Sequence, residues 1–211
     1  MAAAQARNTA AAPSANFRQW ARPAEMIKGG LGNITRITRS VNLGTLIQAT
    51  STVNTFIGKG LQFTLNDLPS VAEFTALFDQ YKIEKVVVHM IPFSTGSLMT
   101  QNVSFPLITV IDFDDAATPT TEDFLLQYAN NSITHANQEV HRTLIPRVAA
   151  AVYDAGGLFN GYANQQTWID AASPAVVHYG FKAGIGPAFG TVGVAGWNIY
   201  ADYHLAFRAT R

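Results

Sequence analysis

The 211-residue chain contains no cysteine, which removes disulfide frameworks, thiolate metal sites and cysteine nucleophiles from consideration. Charge is scarce as well: Asp, Glu, Lys and Arg make up 13% of the residues, about half of the roughly 25% found in an ordinary soluble domain. Much of the surface is therefore expected to be covered by other subunits rather than by water. No apolar run approaches the roughly 18 residues of a membrane span. The Ala-rich start carries Gln5, Arg7 and Asn8 where a signal peptide needs an apolar stretch. A soluble, non-secreted protein without membrane insertion is the expectation. Hydrolase and nucleotide motifs are missing too. There is no Gly-x-Ser-x-Gly elbow, and Gly58-Lys59-Gly60 lacks the flanking residues of a phosphate-binding loop, so neither an enzyme nor a cofactor is expected.

What is present points to a packed fold. Hydrophobic residues make up 48% and aromatics 11%, which excludes a disordered chain, because disorder needs low hydrophobicity and high net charge. The length suits one core, since domains run roughly 100 to 200 residues. The charges balance overall but not along the chain. Residues 1–40 carry Arg7, Arg18, Arg22, Lys28, Arg36 and Arg39 against Glu25, a net of 6 − 1 = +5, and the remainder sums to 8 − 13 = −5. A cationic arm on a slightly acidic body is the pattern of an arm that meets a polyanion. Within it Phe17, Arg18, Gln19, Trp20, Ala21 and Arg22 interleave aromatics with arginines, so that bases stack on Trp20 while guanidinium groups meet phosphates. The competing reading has Phe17 and Trp20 anchored under a neighbouring subunit.

From about residue 44 the chain changes to short β-branched and aromatic stretches separated by turn signals, the pattern of an all-β sandwich or barrel. Strands are expected at residues 60–65, 83–91, 106–113, 132–138, 141–146, 166–169, 175–183 and 197–208, with two short helices, one after Pro69 with Ser70 and Glu73 spaced as a capping box and one opening at Thr120. Eight strands and two helices in long connections match an antiparallel jelly roll. The expected division is an arm over 1–40 and a jelly-roll body over 41–211. Phe63, Val86, Val88, Ile111, Trp168, Tyr203 and Phe207 are the expected core. The loops at 93–105, 114–131, 149–165 and 184–196 are the expected subunit contacts.

Two polar clusters invite a metal. Asp112, Asp114 and Asp115, with Glu122 and Asp123 beyond, offer oxygen ligands of the kind calcium takes, but their spacing is not that of an EF-hand, and an exposed acidic loop after a strand is the favoured account of them. His135, Glu139 and His141 suggest a cupin, except that Asn137 stands where a second histidine is needed. His89, His178 and His204 lie in expected strands, where hydrogen bonding accounts for them.

The order of four segments resembles the capsid proteins of circoviruses and related small viruses with circular single-stranded DNA genomes. The first runs from Leu65 to Pro69 and, after the helix, from Leu77 to Pro92, with Tyr81, Ile83, Lys85, Val86 and Val88 in the family's order. The second is the strand from Leu107 that closes on Asp115. The third pairs Ser132 to His135 with His141 to Arg147. The fourth joins Trp168, the run Val177 to Lys182, and the final strand through Phe207 and Arg208. The resemblance spans roughly residues 61–208. It implies a homo-oligomeric icosahedral shell of sixty copies enclosing single-stranded DNA bound through the arm. It also implies a life in the virion and, during assembly, in the host nucleus. The family's dense arginine-rich arm is absent here, since the basic residues never form a run. An RNA-virus capsid and a cellular jelly-roll binding module are the alternatives.

Overall fold

The protein is described here from a computed structural model, which covers residues 34–49, 55–94, 106–135, 138–153, 159–186 and 194–210. Alternation of apolar and polar residues along the strands places one face of each in a shared interior. The strands are β1 (Thr35–Ala49), β2 (Ile57–Phe63), β3 (Phe78–Ser94), β4 (Pro106–Val110), β5 (Ser132–His135), β6 (Val140–Leu144), β7 (Arg147–Tyr153), β8 (Phe159–Gln165), β9 (Ile169–Asp170), β10 (His178–Ile185) and β11 (Val194–Thr210). Two short helices, α1 (Val71–Leu77) and α2 (Glu122–Leu126), lie in the connections.

One sheet has the order β1-β11-β3-β6, with β9 beside the start of β3. In the other, β10 is flanked by β2 on one side and by β4 and β7 on the other. β5 extends β4, and β8 extends β7. Every pairing between them is antiparallel. β1 to β6 with β10 and β11 form an eight-stranded jelly roll, and β7, β8 and β9 are additions between β6 and β10.

One strand of the roll is additional to those expected, and one expected strand is largely absent. The first strand of the roll is β1, which the charge pattern had assigned to the arm. Thr35 already pairs with Phe207, so the body begins before residue 41 and Arg36 and Arg39 belong to a sheet. The alternation that would mark this strand is interrupted. Ile37, Val41 and Leu43 face the core, then Gly44, at φ +89°, opens a bulge in which its amide donates to the Asn42 side chain at 2.8 Å, and the next core residue is Leu46. The bulge moves the apolar set by one position. Residues 166–168, in contrast, form no strand. The Gln166 amide group instead donates to the carbonyls of Ile83 (3.2 Å) and Glu84 (2.9 Å), at a bulge in β3 where Glu84 has no partner on β11.

Phe63, Val86, Val88, Tyr203 and Phe207 are fully buried, and Ile111 packs on the same cluster while partly exposed. Trp168 is a correction. It is half-buried outside the core, with the Arg208 guanidinium 4.3 Å over its ring. Without a strand to direct it inward, its ring lies on the surface. The buried indole is Trp197, fully enclosed in the core. Phe207 stacks between Phe74 of α1 and Phe78, at ring distances of 5.3 and 4.9 Å, which closes one end of the sandwich. The Tyr203 hydroxyl donates to Asp67 at 2.7 Å, and burial pushes its ionisation far above the ordinary tyrosine range.

The helices stand close to where they are expected, with a difference in capping. Ser70 adopts a left-handed conformation and makes no side-chain cap. Three residues earlier Asp67 accepts from the Thr64 amide at 2.8 Å, at a turn of 3-10 helix. Thr121 caps α2 by accepting from the Phe124 amide at 3.3 Å.

Candidate functional site

Two surfaces of the described residues bear on function. The first is a loop fastened to the outer face of the β10 sheet. Lys182 follows Phe181 on β10 and so points away from the core, toward α2. It is 1% exposed, and an ammonium group so placed needs a counter-charge. Two carboxylates supply it: Asp112 at 2.8 Å and Asp115 at 2.7 Å. The Tyr128 hydroxyl donates to Asp112 at 2.6 Å and the Asp114 amide at 3.0 Å, so every oxygen of that carboxylate is engaged. Burial alone would raise Asp112, but these hydrogen bonds and the ammonium charge hold it below the usual carboxylate range. For Lys182 burial works toward neutrality, and its two carboxylates outweigh it and keep the amine charged. Burial and Asp112 together push Tyr128 up to about 12.

The same loop runs flush over β2. A Cβ on Gly60 would stand 2.1 Å from the Ala116 carbonyl oxygen, and one on Gly58 equally close to that of Pro119, so only glycine permits this approach. Under α2, Ile108, Val110 and Leu125 form a small buried cluster separate from the main core. The loop and helix thus make a fixed surface bearing Phe124 and Leu126, both more than a third exposed, beside Ile133, 60% exposed on the edge strand β5. Leu77 and Ile145 expose apolar surface elsewhere.

The three expected metal candidates are placed by this network. Asp112 and Asp115 hold an ammonium group instead of a cation ligand set, and Asp114 contributes its amide to Asp112. Among the described residues no group of three or more His, Cys, Asp or Glu is arranged to hold a metal ion. The signal for the network was in the sequence: a lysine in the middle of an apolar strand requires a buried carboxylate, and the nearest acidic run closes the strand that pairs with it.

The second surface is the face of the β1-β11-β3-β6 sheet that points away from the core. Thr38, Ser40, Asn42, His89, Tyr200, Asp202 and His204 lie on it. Ser40, Val41, Asn42, Ile91 and Tyr200 line an apolar hollow of about 460 Å³. Arg36 reaches across β11, over the small Ala206, to a bidentate ion pair with Glu84 at 3.0 and 3.1 Å, which raises its own ionisation further. Arg39 lies 5.8 Å from the centre of the Phe74 ring. These two expected nucleic-acid ligands thus stand on β1, Arg36 paired with Glu84 and Arg39 over the Phe74 ring.

Arg7, Arg18, Trp20, Arg22 and Lys28 lie outside the described residues. So do positions 95–105 and 187–193 of the expected contact loops, whereas residues 149–165, expected as a loop, carry the β7-β8 hairpin.

Comparison with known proteins gives this geometry a context. The circovirus capsid protein family matches residues 28–211. The crystal structure of the 60-mer BFDV capsid protein aligns with a TM-score of 0.60 at 22% identity, over 84% of this chain and 94% of that one. The decameric form of the BFDV capsid protein aligns at 0.53 and 22% identity, over 83% and 98%. The cryo-EM structure of mud crab tombus-like virus aligns at 0.52 and 12% identity, over 100% and 95%. These similarities rest on the same roll. No curated protein matches the chain.

Proposed function

The chain belongs to the circovirus capsid protein family, and from that premise we propose that it builds an icosahedral shell of sixty copies around a circular single-stranded DNA genome. A virion protein of structural rather than catalytic role follows from the family. The observation that carries the shell is the combination of a jelly roll of low charge content with an apolar rim at Phe124, Leu126 and Ile133, and with Leu77 and Ile145 exposed elsewhere on the surface. Neighbouring copies cover this rim, and the anchored loop over β2 gives them a rigid partner. The 60-mer assembly of the BFDV capsid protein, built on the same fold, supports the copy number.

DNA is held through the arm. Arg36 and Arg39 belong to β1, and the ligands of the arm that precedes it are Arg7, Arg18, Trp20, Arg22 and Lys28. Four cations on a single strand give a salt dependence of about −0.7 × 4, or roughly −2.8 in log affinity per log salt. This is weak packaging, and it leaves much of a genome's charge to other counterions. Assembly in the host nucleus is part of the same proposal. The test is the nucleic acid protected from external nuclease in purified shells: material destroyed by DNase after extraction supports the reading, and material destroyed only by RNase overturns the DNA part of it.

A further inference from the structure

A line of side chains crosses all four main strands of the β1-β11-β3-β6 sheet on its outward face. Ser40 of β1 donates to Asp202 of β11 at 2.6 Å. The other Asp202 oxygen meets His89 Nε2 of β3 at 2.9 Å. His89 Nδ1 faces His141 Nδ1 of β6 at 2.7 Å, and His141 Nε2 stands 3.5 Å from Glu139.

Counting protons along this line exposes a conflict. A carboxylate only accepts, so His89 carries its proton on Nε2, toward Asp202, and a neutral ring then has a lone pair on Nδ1. If a neutral His141 carries its proton on Nδ1, it donates to His89 but turns a lone pair toward Glu139. If it carries the proton on Nε2, it serves Glu139, and two lone pairs face each other at 2.7 Å. One added proton resolves both contacts. A metal ion between the rings does not fit, because two metal–imidazole bonds of about 2.0 Å each need a wider gap.

We infer that His89 and His141 form a proton-binding dyad that holds one shared proton and thereby fastens the edge strand β6 to its sheet. The charged and titratable groups around it come from every neighbouring strand. β11 presents Tyr200, opposite His89 in the register, then Asp202 and, two residues further on, His204. β3 presents Glu84, already paired with Arg36, and Lys85. β1 contributes the neutral Ser40 and Thr38, the latter bound to His204 at 3.2 Å. On the β6 side stand Glu139 and Arg142, whose guanidinium donates away from the dyad to the Asn130 carbonyl at 2.7 Å. The Asp202 and Glu139 carboxylates at the two ends favour the single positive charge. A second proton sets two like charges at hydrogen-bond distance, and loss of the first leaves either a lone pair turned toward Glu139 or two lone pairs facing each other. β6 is therefore held most tightly in the intermediate, singly protonated state and loosened on either side of it. The device resides in the subunit and holds whether or not the shell carries DNA.

The test is the ring ¹⁵N spectrum of histidine-labelled full-length protein, sedimented for solid-state measurement and followed against pH. The dyad predicts one imidazole and one imidazolium coupled through a shared proton near neutral pH, and two protonation steps for the pair separated by more than about one pH unit. In His141→Gln, which hydrogen-bonds but cannot hold the proton, the remaining ring titrates in a single step. Hydrogen-exchange protection of Val140–Leu144 then loses its pH dependence beyond intrinsic rates. Two uncoupled neutral rings in the wild-type spectrum at neutral pH, or a His89 titration unmoved by His141→Gln, overturns the proposal. The wild-type spectrum decides the matter even where the variant fails to fold.

Discussion

Lys182 and Asp112, on neighbouring segments of the β10 sheet, form a buried ion pair at 2.8 Å that ties the loop after β4 to the outer face of the sandwich. The pair sits at 1% and 5% side-chain exposure, and Tyr128 and Asp115 complete the cluster from either side. Its structural consequence is a surface loop with the rigidity of a core element.

Removing one partner leaves the other charge buried. Lys182→Met is therefore expected to lower unfolding free energy by about 3 to 5 kcal/mol, measured by denaturant titration of the disassembled subunit. Lys182→Met combined with Asp112→Leu, which removes both charges, is expected to recover part of that loss. A single variant as stable as the parent means the pair contributes nothing.

Two of the three tryptophans, Trp168 and Trp197, separate surface from core. Trp197→Ala empties a fully buried site and is expected to cost about 3 to 5 kcal/mol and to abolish shells. Trp168→Ala removes a half-exposed ring and its Arg208 contact, worth about 0.5 to 1 kcal/mol, and is expected to leave shells intact by sedimentation. Equal losses in both variants contradict the burial assignments.

Acid weakens the fold in two windows. His178 is held below its ordinary value by burial, and His204 by burial and by Lys85. For both, the unfolded chain takes up protons first, so their contribution is fully present above the ordinary histidine value of 6.5 and declines as pH falls below it. Asp202, lowered by its hydrogen bond to His89, and Asp112 act in the second window, where stability is lost as pH falls below the ordinary aspartate value of 3.8. Thermal midpoints measured from pH 8 to pH 3 are expected to fall in these two ranges. In His178→Gln, the first decline is expected to shrink.

Deleting residues 1–27 removes Arg7, Arg18, Trp20 and Arg22 and leaves β1 whole. The expected result is assembled shells whose ratio of absorbance at 260 to 280 nm drops toward that of pure protein. An unchanged ratio places nucleic-acid binding on the body instead of the arm.

The roll itself was legible because its long strands alternate cleanly. Ile199, Ala201, Tyr203, Leu205 and Phe207 follow one another on the buried face of β11, and Val86, Val88 and Met90 do so on β3. β1 was hidden by the Gly44 bulge, which breaks its period, and by two arginines that suggested a solvated arm. The β7-β8 hairpin, rich in alanine and glycine, carries too weak an alternation to announce itself. The functional surface was less legible for a different reason. The ion pair of Arg36 with Glu84 and the line from Ser40 to His141 join residues 48 and more positions apart, and only the strand order of the sheet brings them together.

The central claim is that this roll assembles into a closed shell. Negative-stain electron microscopy of the full-length protein, expressed alone and purified by size exclusion, tests it most directly. The account predicts uniform icosahedral particles of sixty subunits, and monomers or small oligomers at every salt and pH would contradict it.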